Sequence, residues 1–217
     1  MTQHMQRELD NLKKMILALS AVAEESVQKA ARSIETLDVP LAEEVIGSDD
    51  LVDQMEVDLE EECLKILALH QPVAIDLRFI IAVLKINNDL ERIADLAVNI
   101  AERAVGLSGM SRVEIPFDFA GMARRAETML NMSLDALVQL DTGIAHQVIA
   151  LDDEVDAMHS ANYGLIKAQI LARPETLDAL IQHLSLSRHL ERIADLATNI
   201  AEDVIYMIDG VIVRHSL

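Results

Sequence analysis

Leu90 to Glu102 reads LERIADLAVNIAE, and Leu190 to Glu202 reads LERIADLATNIAE, differing only at Val98 against Thr198. A second pair lies upstream in the same order: LDVPLAEEVIGSDDLVDQM from Leu37 and LDTGIAHQVIALDDEVDAM from Leu140. A chain that repeats itself on matching segments folds as two copies of one unit. Within each copy, Leu90, Ile93, Ala97 and Ile100, like Leu190, Ile193, Ala197 and Ile200, recur at helical spacing. No stretch alternates as a half-buried strand does. Aromatic residues make up only 2% of the chain and Trp is absent, which suits helix packing rather than sheets. Seven Gly and four Pro leave few turns, so the helices must be long.

Punctuation predicts six helices. The first covers roughly residues 3–36 and ends near Leu37-Asp38-Val39-Pro40. The second starts at Pro40, whose missing N–H costs nothing in a first helical turn, and runs to Leu69. The third spans Val73 to Val105, after the break His70-Gln71-Pro72. Gly106 to Pro116 has no helical pattern, and three more helices follow, broken at Thr142-Gly143 and Arg173-Pro174. The expected fold is all-α, two tandem repeated three-helix bundles, with residues 1–107 and 117–217 as the bundles and 108–116 as the linker.

Charge narrows the partners. Eighteen Lys and Arg face 37 Asp and Glu, a formal net charge of −19. Such a surface repels nucleic acid and anionic lipid, and attracts cations or basic protein patches. The lone Cys63 excludes an intramolecular disulfide and fits a reducing compartment. The start, MTQHMQRELDNLKKM, lacks a signal-peptide shape, and the apolar run Met15 to Ala23 is too short to span a bilayer. A soluble cytoplasmic protein with no membrane insertion is expected.

Core packing explains the repeated apolar positions but not the repeated acids. Glu91, Asp95 and Glu102 share one narrow arc of a 3.6-residue helix, and Glu191, Asp195 and Glu202 reproduce it. On the preceding helices, Asp49 and Asp53 line up with Glu56 and Glu60, and Asp152 and Asp156 line up with His159. Each like-charge pair at this spacing costs a helix about 0.2–0.5 kcal/mol. Either the stripes are solvated faces, or a cation offsets the repulsion. In the second case, carboxylates from two adjacent helices form a hard oxygen cage for magnesium, manganese, calcium or iron. His159 would then add an imidazole nitrogen, with Asn99 and Asn199 as supporting amides.

These residues resemble the PhoU family of phosphate-regulon regulators over nearly the whole chain. The resemblance is carried by the twin LERIAD segments, Leu90–Asp95 and Leu190–Asp195, and by Gln71-Pro72-Val73-Ala74-Ile75-Asp76-Leu77-Arg78, similar to that family's QPxAxDLR signature. The family's E/D-x-x-x-D signature falls on Glu91 with Asp95, Glu191 with Asp195, Asp49 with Asp53 and Asp152 with Asp156. The resemblance implies multinuclear metal clusters on the acidic face (iron, manganese, magnesium or zinc) and homodimerisation. It also implies a non-enzymatic adaptor between the ATPase subunit of the phosphate ABC transporter and a sensor histidine kinase, damping the phosphate-starvation response. Two positions depart from strict duplication. Arg173 to Asp178 stands where the first half has the QPxAxDLR segment, and His159 replaces the acid that Glu56 supplies.

Three other readings of the residues compete. A metal-free helical adaptor would keep the partners and lose the ions. A ferritin-like di-metal oxidase needs Glu-x-x-His on two helices, whereas the nearest approach here, Asp156-x-x-His159, occurs once. A histidine phosphotransfer protein needs one accessible histidine, for which His159 and His189 are the candidates.

Overall fold

The computed structural model describes residues 3–213, and every regular element among them is helical. In chain order these are α1 (Gln3–Thr36), α2 (Val39–Ile46), α3 (Asp49–His70), α4 (Ala74–Ser108), α5 (Phe119–Gln139), α6 (Thr142–Ala172) and α7 (Leu177–Asp209). A short 3-10 turn, Pro174–Thr176, precedes α7. Among the described residues, no helix is long and apolar enough to cross a membrane.

Both halves make their first turn by the same chemistry. Leu37 and Leu140 adopt left-handed backbone, φ 51° and 53°, at the ends of α1 and α5. The next N–H, of Asp38 or Asp141, reaches back to the carbonyl of Ser33 or Ala136 at 3.1 Å in each case. That bond satisfies a carbonyl the helix end would leave unpaired. The same aspartates cap the following helices. Asp38 Oδ1 accepts from the Leu41 N–H at 3.1 Å, and Asp141 Oδ1 accepts from the Gly143 and Ile144 N–H groups at 2.7 and 3.2 Å. A left-handed leucine costs about 1–2 kcal/mol and a good cap returns about 1 kcal/mol, so the turn is close to neutral while fixing chain direction.

The expected boundaries shift at three places. The single helix expected from Pro40 to Leu69 is two, α2 and α3, because Gly47-Ser48 interrupts it. The Ser48 hydroxyl donates to the Val45 carbonyl at 2.7 Å, and the Gly47 N–H donates to Glu43 at 2.9 Å. Gly and Ser together are a recurrent cause of helix breaks. In α6 the matching positions are Ala150 and Leu151, and that helix runs on unbroken. At the other end, α4 continues through Gly106 to Ser108, so three residues read as irregular are helical. Finally, Thr142 and Gly143 lie inside the first turn of α6; the break there is Leu140-Asp141.

The two repeated units, of four helices in the first half because of the Gly47-Ser48 break and three in the second, share one core. In the first, α4 packs on α1, α2 and α3; in the second, α7 packs on α5 and α6. α4 and α7 also pack extensively on each other, and α1 touches α5. Leu90, Ile93, Ile100 and their counterparts Leu190, Ile193, Ile200 are fully buried in one continuous apolar cluster drawn from both units. Polar ties mark the two ends of the α4–α7 contact. Lys85 Nζ lies 2.9 Å from Asp203 Oδ1, and Arg103 Nη1 donates to Gln182 Oε1 at 3.1 Å. The early part of each helix thus meets the late part of the other. The pair is antiparallel.

Because the core is continuous, Leu90→Ala and Leu190→Ala should each cost about 2–5 kcal/mol and shift one common unfolding transition. Denaturant melts followed by circular dichroism check this; two separable transitions, of which each substitution moves only its own, would contradict it.

Candidate metal centre

Apolar packing determines where the acids end up. With Leu90, Ile93, Ala97 and Ile100 turned into the core, Glu91 and Asp95 are carried to the α4 flank that borders α3. The same geometry sets Glu191 and Asp195 on the α7 flank that borders α6. Asp49, Asp53 and Glu56 approach from α3, and Asp152 and Asp156 from α6.

In the second half the oxygens converge. Asp152, Asp156 and Asp195 each offer one carboxylate oxygen, and these lie within 4.8 Å of one another. Asp152 is half-buried, while Asp156 and Asp195 stay open to solvent, so an ion has a route in. Desolvation, followed by the charges of Asp195 and Asp156, pushes Asp152 up from an ordinary 3.8 to about 6; the Thr198 hydroxyl opposes the rise. No hydrogen bond of normal geometry reaches the buried Asp152 Oδ1. Desolvation and then Glu191 and Asp156 likewise push Asp195 to about 6, against the pull of Arg192. Glu191 is raised by desolvation and by Asp156 and Asp152, with Arg188 and Arg192 opposing.

The first half couples the same groups more loosely. Desolvation raises Asp49, with Asp53, Asp95, Asp50 and Glu102 adding to it. It also raises Glu91, helped by Asp95, Asp53 and Glu56 against Arg92, and Asp95, helped by Asp53 against Arg92. Carboxylates of α3 and α4 therefore feel each other across the helix pair. Among the described residues, however, no three of their oxygens close to within 4.8 Å as in the second half.

Glu56 and His159 occupy matching places and are held in matching ways. Asn87 Nδ2 donates to the Glu56 carbonyl at 2.9 Å and to its Oε1 at 3.2 Å. His159 Nδ1 lies 2.8 Å from the hydroxyl of Ser187, the residue corresponding to Asn87. Desolvation and Arg188 lower the His159 pKa, with Asp156 opposing. His159 is not drawn into the three-aspartate cluster; it packs edge-on against Tyr163, ring centroids 5.4 Å apart. The di-metal oxidase pattern is therefore not assembled. Asn99, expected as a supporting amide, instead donates to the Asp95 backbone carbonyl at 2.7 Å. His189 has both ring nitrogens buried, and desolvation lowers its pKa to about 4, so it offers no accessible phosphoryl acceptor.

Chemically the arrangement is a patch of hard donors that arginines approach without forming a direct ion pair. Among the described residues, none of the nine carboxylates expected as ligands has a Lys or Arg nitrogen within 4.0 Å. The orphaned Asp152 Oδ1 and the all-oxygen donor set both fit a divalent or trivalent cation.

The architecture has close counterparts. A family model described as PhoU domain matches residues 5–104 and again 119–204. The chain is 37% identical over 209 residues to the phosphate-specific transport system accessory protein PhoU homolog of Aquifex aeolicus, covering 96% of this chain and 95% of that protein. It is 34% identical to the corresponding homolog of Pseudomonas aeruginosa, covering 99% and 89% respectively. The crystal structure of PhoU from Pseudomonas aeruginosa superposes with a TM-score of 0.90 at 34% identity, covering 95% of this chain and 99% of that one. The phosphate transport system regulatory protein PhoU from Streptococcus pneumoniae superposes with a TM-score of 0.85 at 28% identity, covering 96% and 98%.

The raised carboxyls carry a pH signature. Folded Asp152 and Asp195 keep their protons up to about pH 6, whereas the unfolded chain loses them near 3.8. Their contribution is therefore fully present below about pH 4 and is lost as pH rises through about 6. In chelator, the double variant Asp152→Asn, Asp195→Asn should lose less melting temperature than wild type between about pH 5 and pH 7. Thermal melts at both pH values check it; parallel losses would mean these carboxyls are not strained.

Proposed function

The chain belongs to the PhoU family, and from that membership we propose that it is a non-enzymatic regulator of phosphate uptake that binds metal on its acidic faces. Its named relatives are accessory proteins of the phosphate-specific transport system, which supports the uptake role. The observation that carries the metal reading is the cluster of Asp152, Asp156 and Asp195, three oxygens within 4.8 Å of one another. Those residues, with Glu191, would hold the ion in the second half; Asp49, Asp53, Glu56, Glu91 and Asp95 would hold it in the first. The oxygen donors suit iron, manganese or magnesium, with zinc a further candidate. A bound cation neutralises the carboxylates and joins α3 to α4 and α6 to α7.

The finer role we propose is a cytoplasmic, homodimeric adaptor between the transporter's ATPase subunit and a sensor histidine kinase. A docking surface is available at the turn between α3 and α4. Leu69, Val73 and Ile75 are 64%, 74% and 67% exposed there, an unusual concentration of large apolar side chains in solvent. The net charge of −19 leaves basic patches on a partner as natural complements.

Two outcomes are expected. In protein purified without chelator or a nickel column, Glu91→Ala with Asp95→Ala should lower bound metal, and Asp156→Ala with Asp195→Ala should lower it further, both with unchanged helicity. Elemental analysis reads this; full metal content in both variants would remove these carboxylates from the site, and wild type free of metal would leave the adaptor metal-free. Cells lacking the chain should express phosphate-starvation genes in high phosphate, and Val73→Asp with Ile75→Asp should do the same by losing capture of the ATPase subunit. Normal repression in the deletion strain would remove the regulatory role.

A further inference from the structure

A second cluster of metal-type ligands lies elsewhere in the first half and has different chemistry. His4 and Glu8 stand one turn apart on α1, and His70, the last residue of α3, packs against them from the other side. His70 Nε2 is 2.5 Å from Glu8 Oε2, and His4 Nε2 is 3.4 Å from Glu8 Oε1. The two imidazole rings meet edge to face with centroids 5.6 Å apart. One nitrogen from each histidine and one glutamate oxygen all lie within 4.8 Å of one another.

We propose that His4, Glu8 and His70 form a site for a borderline transition-metal ion of the zinc class, clamping the first turns of α1 to the end of α3. The donor set, two imidazoles and a carboxylate, is what zinc takes, and hard cations such as magnesium disfavour imidazole. Ligand atoms about 2.0–2.1 Å from a tetrahedral zinc stand about 3.3–3.4 Å apart, which matches the His4–Glu8 separation. Burial is graded as an ion site requires. The Glu8 and His70 side chains are 11% and 15% exposed, while His4 is 65% exposed and leaves the site open to solution. Lys65 Nζ sits 3.9 Å from Glu8 Oε1 but is half-exposed and bonded to Glu62 at 2.9 Å, so it can withdraw onto that partner.

This site is independent of the acidic faces. From Glu56, the nearest expected ligand on α3, to His70 is about 20 Å along the helix. A bound ion would brace the end of α3 directly before the left-handed Gln71 and the Gln71–Ala74 turn.

The test uses the full chain, produced without a polyhistidine tag and stripped with chelator. Co2+ is titrated as a visible probe and then displaced with Zn2+, in wild type, His4→Gln, His70→Gln and Asp156→Asn with Asp195→Asn. In wild type the first intense visible bands, those of four-coordinate nitrogen and oxygen ligation, should saturate at one equivalent of Co2+ and be removed by Zn2+, any Co2+ on the acidic faces adding only weak six-coordinate absorption. The bands should persist in the aspartate variant and vanish in both histidine variants, with Zn2+ affinity falling by more than about 100-fold, beyond the loss usual for supporting residues. His4→Gln is the decisive variant, because His4 is exposed and its loss should leave metal-free stability unchanged. Wild-type Co2+ bands and Zn2+ affinity in His4→Gln would overturn the proposal, leaving the cluster a hydrogen-bonded staple between α1 and α3. Weak, six-coordinate Co2+ absorption in wild type, lost only in the aspartate variant, would overturn it equally and locate metal on the acidic face alone.

Discussion

The burial of α4 against α7 governs everything else in this molecule. Each helix is the innermost member of its own repeat unit, and each also supplies apolar surface to the other. Leu90, Ile93, Ile100 and their duplicates bury completely because they are covered from both sides. One repeat unit alone would leave one stripe of its inner helix wet, at a cost of about 25 cal/mol for every Å² of apolar surface. Pairing the two inner helices removes that exposure. Duplication thereby yields one core rather than two.

That arrangement also determines where charge accumulates. Once the LERIAD segments turn their apolar arc inward, Glu91, Asp95, Glu191 and Asp195 must emerge on the flanks facing α3 and α6. The acids on those neighbouring helices arrive on the same side, and repulsion follows from packing rather than from local helix preference. Helices held together by a core of this size tolerate such repulsion, whereas isolated helices would not. The second half concentrates it more, drawing three aspartate oxygens within 4.8 Å. The first half spreads its acids further, with Glu56 anchored by Asn87 where the second half has His159 anchored by Ser187.

The fold was largely legible because its signals are local and doubled. The helix period, the Leu-Asp pairs at 37–38 and 140–141 and the twin LERIAD segments all repeat, and a repeated signal is hard to mistake for chance. What escaped was subtler. Gly47-Ser48 splits a helix that apolar periodicity carries straight through, because the break rests on a serine hydroxyl bonding to a backbone carbonyl. Gly106 carries a helix breaker's signal, yet α4 absorbs it and continues to Ser108. The His4, Glu8 and His70 cluster escaped altogether. Only His4 and Glu8 show a local spacing, and the third member is 62 positions further along.

By itself the sequence determined the helices, the duplication and which side chains could be acidic ligands, since these depend on interactions within a few residues along the chain. The tertiary structure decided which acids meet, that His159 turns to Ser187 rather than joining the aspartates, and that His70 closes on Glu8. Those outcomes depend on how rods of fixed period settle against each other. A rotation of a few tens of degrees about a helix axis, invisible in any local pattern, separates converging carboxylates from diverging ones.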